Sequence, residues 1–294
     1  MQSEEELIKI GSGLLDTSKY QKAIELFSEV IQLNPANSDA YELRSIANFR
    51  ILNIENALTD ISKATELNPN SHQAWFSKGE IFRQKKVYKE AEICYLEANR
   101  LYPDSLFYLT GLIQTSYALR KYEYVVDYCD QILKENPEDK ISFWYRGIAY
   151  AKRSNYQGAI KDYLKLLEIG KRDETVYNNL GFWYGKIGNL KKAFNNLSVA
   201  LQMNSTHPYA LNNMGFVKYA EGDYRKAFEF VNRSLEIDPS NSYAYKNRAM
   251  IHIKLGDKEL ALSDLRKAES LGYQEEYDDE VNDLLQKLTE LYND

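Results

Sequence analysis

Apolar and small residues recur along this chain with a period of 34 residues. Within one period, large apolar residues stand three, four or seven positions apart, the spacing that places side chains on one face of an α-helix. Trp75 and Phe82 show this spacing in one period, and Tyr177, Leu180 and Tyr184 show it in another. The pattern predicts an all-α protein whose helices pack through these faces.

Five prolines set the phase of the repeat. Pro35, Pro69, Pro103 and Pro137 stand 34 residues apart, and Pro239 falls on the same grid. Because proline is common just after a helix ends, we place it two residues before the end of each repeat. The predicted repeats are 4–37, 38–71, 72–105, 106–139, 140–173, 174–207, 208–241 and 242–275. A period of this length predicts an array of helix–turn–helix units without a single globular core.

Small residues recur at two positions of each repeat, and they predict where the paired helices approach closely. The twentieth position is Ala23, Ala57, Ala91, Val125, Ala159, Ala193, Ala227 and Ala261. The eighth position is small in seven repeats, as Gly11, Ser45, Gly79, Gly147, Gly181, Gly215 and Ala249. A glycine inside a helix costs about 1 kcal/mol relative to alanine, so its recurrence indicates a packing requirement.

The ends of the repeats carry helix-capping residues. The last position is a good N-cap in six repeats and His207 in a seventh; the six are Asn37, Ser71, Ser105, Asp139, Asp173 and Asn241. After the eighth repeat, residues 276–294 begin with acidic residues and continue with one apolar stripe, Val281, Leu284, Leu285, Leu288 and Leu291. We expect this segment to form a helix that covers the end of the array.

The repeats resemble those of the tetratricopeptide repeat (TPR) family. That family's pattern is an aromatic residue, then Leu-Gly, then Tyr, and later an alanine and a proline. The sixth repeat matches it at Tyr177, Leu180, Gly181, Tyr184 and Ala193.

The resemblance implies a fold and a mode of action. The expected fold is an all-α, right-handed superhelical solenoid of eight 34-residue helix–turn–helix repeats with a C-terminal capping helix, 276–294. We expect a single TPR domain over residues 1–294. The function that the family implies is protein binding by a non-enzymatic scaffold, with the first helix of each repeat lining a concave groove.

Composition excludes several other classes of protein. The net charge of -6 and the pI near 5.4 disfavour nucleic-acid binding, which requires a basic surface. The chain begins without a basic and apolar leader, and it has no run of about 18 apolar residues, so we expect neither secretion nor a membrane span. Cys94 and Cys129 have no disulfide or metal spacing, so we expect free, partly buried thiols in a reducing cytoplasm.

Residue patterns that carry catalysis are missing from the sequence. His72, His207 and His252 have no neighbouring ligand at metal spacing. No phosphate-binding loop or nucleophile motif occurs. We therefore expect no catalytic residue, no metal and no cofactor.

An asparagine column marks the predicted groove of the last three repeats. Asn179, Asn213 and Asn247 take the sixth position of consecutive repeats, and Asn178 and Asn212 precede two of them. A side-chain amide both donates and accepts hydrogen bonds, so this column is predicted to hold the backbone of an extended peptide. The alternative is that asparagine is simply common at this position in the family.

In the family that the repeats resemble, the residues that face the groove are the second, fifth, ninth, twelfth and thirteenth of each repeat, which we call groove positions, with the sixth also facing inward in superhelical members. Apolar residues at groove positions predict an exposed surface. The set is Phe76, Phe107, Tyr117, Ile141, Trp144, Ile148, Phe182, Tyr209, Phe216, Tyr219, Tyr243 and Met250. We expect about two thirds of them to face solvent, which exceeds what a monomer usually exposes. Trp144, Phe182, Phe216 and Tyr209 are the residues that we expect to form pockets for a protein or peptide ligand, since aromatic residues often anchor interfaces.

Basic residues predict which part of the ligand is acidic. The last four repeats place Lys152, Lys186, Lys246 and Lys254 at groove positions, with no acid at those positions. A ligand that is acidic where it meets these repeats would be favoured electrostatically. An ordinary solvated surface is the alternative explanation.

The leading functional hypothesis is a scaffold or adaptor that binds an extended protein segment. A dedicated inhibitor, immunity protein or regulatory subunit that wraps a folded partner is the first alternative, and an RNA-binding TPR protein, disfavoured by the acidic charge, is the second. Homo-oligomerisation through the aromatic surface also stays open. The second-position residues, which include Glu5, Asp39 and Phe107, lack the lysine needed to clamp a chaperone's C-terminal carboxylate, so we predict no binding of chaperone tails.

Overall fold

A computed structural model describes residues 3–103, 105–273 and 280–290, and these residues form seventeen α-helices and no strand. The helices are α1 Glu4–Asp16, α2 Tyr20–Leu33, α3 Ser38–Arg50, α4 Ile54–Leu67, α5 His72–Gln84, α6 Tyr88–Leu101, α7 Leu106–Ala118, α8 Tyr122–Glu135, α9 Lys140–Lys152, α10 Tyr156–Glu168, α11 Glu174–Lys186, α12 Leu190–Met203, α13 Pro208–Ala220, α14 Tyr224–Ile237, α15 Ser242–Leu255, α16 Lys258–Ser270 and α17 Glu280–Glu290. Each of the eight predicted repeats contains one pair of helices, which confirms the all-α solenoid.

Contacts within the chain divide it into two compact units. Unit 1 is residues 1–145 and unit 2 is residues 146–294, so the boundary lies inside α9. In unit 1, α3 packs on α4 and α4 packs on α5, and the same order of pairing runs from α10 to α16 in unit 2. A single domain over residues 1–294 stays a prediction.

Close approach of paired helices explains the small residues. All seven alanines at the twentieth position are fully buried. A Cβ added to Gly181 on α11 would lie 2.5 Å from Cγ of Leu197 on α12. Since carbon atoms in contact are ordinarily separated by about 3.5–4.0 Å, any larger residue there would require a shift of Leu197 or of one helix.

In most repeats the first helix begins with a residue whose side chain caps it, as the sequence predicts. The side chains of Asn37, Ser71, Asp173 and Asn241 each accept a hydrogen bond from the backbone N–H three residues later. Ser105 occupies the N-cap position of α7 as predicted, but its side chain accepts no capping hydrogen bond.

His207 also departs from the expectation, because it does act as a cap. Its Nδ1 accepts from the backbone N–H of Ala210 at 3.2 Å. Burial lowers the pKa of this imidazole, and the neutral ring is the form that can accept. A neutral histidine therefore replaces the usual Asn, Ser or Asp at the start of α13.

Three buried ion pairs recur at intervals of three repeats. In each, a guanidinium at the seventh position binds both carboxylate oxygens of an aspartate on the second helix, with closest distances of 2.7, 2.6 and 2.8 Å. The pairs are Arg44 with Asp60, Arg146 with Asp162, and Arg248 with Asp264. Bidentate geometry fixes the two helices of a repeat relative to each other as well as pairing the charges.

Helix α17 packs on α16 through the predicted apolar stripe. Val281 and Leu288 are buried, and Leu284 and Leu285 are partly buried against the same cluster. The capping helix is therefore confirmed for Glu280–Glu290. The remainder of the predicted helix 276–294, including Leu291, lies outside the described residues.

Candidate functional site

One face of each unit is formed by the first helices of its repeats. In unit 1, α3 contacts α5 and α5 contacts α7; in unit 2, α11 contacts α13 and α13 contacts α15. We call this surface of each unit its inner face, and the surface formed by the second helices its outer face. The residues at groove positions of the sequence lie on these first helices.

An open apolar cavity lies on the inner face of unit 1. It has a volume of about 280 Å³, and we call it the α3–α5 pocket. Its main lining residues are Ile46, Phe49, Arg50, Phe76, Glu80 and Phe107. The side chain of Phe107 is 64% exposed, and its ring centroid lies 4.8 Å from that of Phe76. A phenylalanine exposed to this degree beside a cavity offers apolar surface that a ligand can cover.

Charged groups stand at the edge of the α3–α5 pocket. The carboxylate of Glu80 accepts from the guanidinium of Arg83 at 2.6 Å and from the hydroxyl of Tyr95. Burial raises the pKa of Tyr95, and the hydrogen bond to Glu80 raises it further, so the hydroxyl stays a donor. Arg50 ends α3, is exposed, and makes no ion pair within the described part of the chain. The pocket thus combines an apolar floor with one exposed cation, Arg50, and one carboxylate, Glu80, that is paired with Arg83.

The pocket was partly visible in the sequence. Phe76 and Phe107 belong to the predicted apolar surface, and Arg50 and Glu80 occupy groove positions. The predicted site residues lie mainly in the last repeats, and Phe49, which lines the pocket, is not among them. The sequence does contain a signal for this residue. Phe49 is an apolar residue at the twelfth position of the second repeat, and it lines the pocket together with Phe76 at the fifth position of the third repeat.

The predicted asparagine column lies between the first helices of unit 2. Asn213 Nδ2 donates to Asn178 Oδ1 at 2.9 Å, and Asn247 Nδ2 donates to Asn212 Oδ1 at 2.9 Å. Asn213 is only 7% exposed and Asn247 only 3%. Asn179 is half-buried and donates to the Tyr163 hydroxyl at 3.3 Å. These amides link α11, α13 and α15, and direct contact with a ligand backbone stays a prediction.

The predicted apolar surface is less exposed than expected. Only Phe107, Ile141 and Tyr209 are exposed. The half-buried members are Phe76, Tyr117, Trp144, Ile148, Phe182, Phe216, Tyr219 and Met250. The expectation for Tyr243 is wrong: this side chain is 5% exposed, because its ring stacks on Tyr273 at 5.9 Å and meets the ring of Phe182.

The predicted lysines divide into two classes. Lys152, Lys186 and Lys254 are exposed. Lys246 is only 2% exposed, and its Nζ lies 2.9 Å from Oε2 of Glu280, the first residue of α17. Lys246 therefore differs from the other three lysines, because it is buried and pairs with an acid that lies beyond the eighth repeat.

Comparisons with known proteins decide the family. Two models of the tetratricopeptide repeat match, one at residues 49–105 and 126–174 and the other at 208–241 and 242–271. The chain belongs to the tetratricopeptide repeat family. Its fold is similar to a TPR protein from Parabacteroides merdae, with a TM-score of 0.64 and 20% identity over 98% of this chain and 100% of that one. It is also similar to the Cut9–Hcn1 hetero-tetramer of the APC/C, with a TM-score of 0.61 and 14% identity over 96% of this TPR chain and 55% of that one.

Curated relatives match shorter stretches of the TPR protein. Hsp70-Hsp90 organizing protein 3 of Arabidopsis thaliana is 31% identical over 110 residues, which are 37% of this chain and 20% of that protein. The SGT1 homolog of Oryza sativa is 32% identical over 73 residues, which are 25% of this chain and 20% of that protein. This chain therefore spans about a fifth of the length of these relatives.

The described residues contain no assembled group of metal ligands. No three His, Cys, Asp or Glu side chains among them are placed to hold a metal ion. Cys94 and Cys129 are both buried, and burial raises the pKa of the Cys94 thiol to about 11, so that thiol is protonated at neutral pH. No helix in the described ranges has the length and hydropathy to cross a membrane.

Proposed function

We propose that this TPR protein is a non-enzymatic scaffold or adaptor that binds an extended segment of a partner protein on its inner face. The observation that carries the proposal is the α3–α5 pocket, where an apolar cavity of about 280 Å³ opens beside an exposed phenylalanine. Membership of a repeat family that serves in protein interaction supports it.

Burial of Phe107 supplies a magnitude for the interaction. Full burial of a phenylalanine side chain contributes about 1.5–3 kcal/mol. Because 64% of the Phe107 side chain is exposed, a ligand that covers it gains roughly 1–2 kcal/mol from this residue alone. That amount corresponds to about a fivefold to thirtyfold change in affinity.

The predicted residues of unit 2 enter the proposal in two roles. Five asparagine amides set the spacing of the first helices: Asn178, Asn179, Asn212, Asn213 and Asn247. An amide that binds a ligand must first give up its present hydrogen bond within the chain. The side chains of unit 2 proposed to contact the ligand are Phe182, Tyr209, Phe216, Tyr219, Lys152, Lys186 and Lys254. Trp144, which belongs to unit 1, is also proposed to contact it.

The experiment compares partner capture by variants of the complete chain. Phe107→Ser removes the exposed ring of the α3–α5 pocket, and Ile93→Ser is the matched control, because Ile93 is 62% exposed on α6 of the outer face. Partners captured from a lysate of the source organism should be lost with Phe107→Ser and kept with Ile93→Ser. Partners kept by both variants would contradict the proposed site.

A competing peptide separates the proposed function from its main alternative. A synthetic peptide from the captured partner should displace that partner when the ligand is an extended segment. Failure of every such peptide, together with loss of binding when the partner is unfolded, would favour a regulatory subunit that wraps a folded protein.

We do not propose that this protein binds the C-terminal tails of chaperones, although one relative is named for chaperones. One relative is an Hsp70-Hsp90 organizing protein, and this chain spans only 20% of it. The second positions of the repeats here carry Glu5, Asp39, Gln73 and Phe107 in unit 1. None of these side chains is a cation that could bind a terminal carboxylate.

A further inference from the structure

A buried cation lies on the inner face of unit 2. Lys246, on α15, is 2% exposed, and its Nζ lies 2.9 Å from Oε2 of Glu280 and 4.8 Å from the centre of the Tyr243 ring. An ammonium group removed from water to this extent requires a carboxylate, because its desolvation is otherwise uncompensated. The inner face therefore contains a position at which a carboxylate is strongly favoured.

A second cation and a hydroxyl add to the attraction. Lys186, on α11, is exposed, and its Nζ lies 5.6 Å from the ring centre of Phe182 and 5.9 Å from that of Tyr243. The hydroxyl of Tyr273 donates to Glu280 Oε2 at 3.4 Å. Among the described residues, the groups near the Glu280 carboxylate thus include the cations of Lys246 and Lys186 and the hydroxyl of Tyr273.

The pKa of Glu280 agrees with the charges around it. Burial acts to raise the pKa of Glu280, but the charges of Lys246 and Lys186 and the hydrogen bonds from Lys246 and Tyr273 outweigh it, so the pKa is lowered. The carboxylate is therefore ionised at neutral pH despite its burial.

The carboxylate is the accessible member of the pair. The side chain of Glu280 is 38% exposed, whereas that of Lys246 is 2% exposed beneath it. The Glu280 side chain, as the more exposed member, can leave Lys246 while Val281 and Leu288 stay buried in the cluster with α16. A carboxylate from outside can then approach the cation from the solvent side.

We propose that Lys246, Lys186 and Tyr273 form a carboxylate-binding site that Glu280 occupies within the chain and that an acidic side chain of a partner segment occupies in its place. This inference rests on the proposed function, since it names the chemistry of the segment that meets unit 2. The exposed Lys254 on the same helix as Lys246 extends the positive surface around the site. The ligand class is an acidic peptide.

Glu280 acts as a competitor that is always present. A group tethered to its own site has an effective concentration in the millimolar range. The apparent affinity of a second ligand is therefore reduced in proportion to the small fraction of sites that the tethered group leaves open. Removal of the Glu280 carboxylate should therefore strengthen the binding of an acidic peptide by about tenfold or more.

The first experiment measures binding of a defined probe to the complete chain. The probe is a fluorescein-labelled peptide, Glu-Gly-Glu-Leu-Glu-Gly-Glu, and its control replaces each Glu by Gln; the readout is fluorescence anisotropy. Glu280→Gln should bind the acidic probe about tenfold tighter than the wild type, and Lys246→Met should abolish that gain. Glu259→Gln, which removes an exposed carboxylate of α16, is the charge-matched control and should bind like the wild type. Equal affinities of Glu280→Gln and Glu259→Gln would overturn the inference.

A second experiment uses the wild-type chain and does not depend on the folding of a variant. The carboxyl carbon of Glu280 is followed by NMR while the pH is varied, with and without an excess of the acidic probe. The probe should raise the pKa of Glu280 toward its ordinary value, because Lys246 then binds the probe. An unchanged pKa would overturn the inference. Loss of partner capture in Phe107→Ser with no effect of Glu280→Gln would reject this site alone and leave the proposed function standing.

Discussion

Breaking the buried ion pair between Arg44 and Asp60 should cost far more than removing both of its members. The guanidinium donates to the two carboxylate oxygens at 2.9 and 2.7 Å, and the Asp60 side chain is 7% exposed. Arg44→Met leaves that carboxylate buried, with Asn48 as a remaining donor at 3.3 Å. Removal of one partner of a buried pair costs about 3–5 kcal/mol. Because Asn48 still donates to the carboxylate, we expect a loss of about 3 kcal/mol, at the lower end of this range.

The double variant Arg44→Met/Asp60→Leu separates the loss of the ion pair from the cost of leaving a buried charge unpaired. Replacement of a buried ion pair by apolar residues of similar volume is often neutral or stabilising. The double variant should therefore recover at least about 2 kcal/mol of the loss. Lys63→Met is the control, since it breaks the exposed pair of Lys63 with Glu66 and should cost less than about 1 kcal/mol.

Equilibrium unfolding in urea, followed by circular dichroism, measures these differences on the complete chain. A repeat array can unfold in parts, so the midpoint of the transition that changes between variants is the quantity compared. A double variant as unstable as Arg44→Met would refute the reasoning, because the cost would then come from lost packing of the arginine and not from the unpaired carboxylate.

Three further predictions follow from single sites. Burial raises the pKa of Glu42, so ionisation of this side chain lowers stability as the pH rises through that pKa; Glu42→Gln should unfold at a higher temperature than the wild type at neutral pH, and the gain should vanish at low pH. Gly181→Val inserts side-chain atoms against Leu197 and should cost about 1–3 kcal/mol in urea unfolding, whereas a cost near zero would contradict the close packing. Asn213→Ala leaves the buried Asn178 Oδ1 without its donor and should cost about 1–3 kcal/mol in the same urea unfolding.

The repeat frame was predictable because it depends on local and periodic signals. Proline positions, small residues at the eighth and twentieth positions, and caps such as Asn37 and Asp173 each report on one helix or one helix pair. The Arg44–Asp60 pair was also present in the sequence as a charge pattern repeated after three periods. The pair was not predicted, because the seventh position of a repeat is usually apolar and the pattern gives no reason to expect an ion pair there.

The candidate site was less predictable, because it depends on how neighbouring first helices approach one another. The amide of Asn213 reaches Asn178 only at the distance that unit 2 sets between α11 and α13. The burial of Tyr243 and Lys246 depends on Tyr273 and Glu280, which follow the second helix of the eighth repeat. Position within a repeat therefore predicts which helix face a side chain is on, but it does not predict what else covers that face.

The two inner faces differ in chemistry, and salt should separate their contributions to binding. In unit 1 the fifth position of the third repeat is Phe76, which lines an open apolar pocket. In unit 2 the fifth positions are Asn178, Asn212 and Lys246, each of which already contacts another part of the chain. Binding through the α3–α5 pocket buries apolar surface and should change little between 50 mM and 500 mM NaCl, whereas binding of an acidic segment at Lys246 should weaken several-fold, because salt screens the partly exposed charges. A partner whose affinity is insensitive to salt, yet is lost in Lys246→Met, would contradict this division, since its contact with unit 2 would then be apolar.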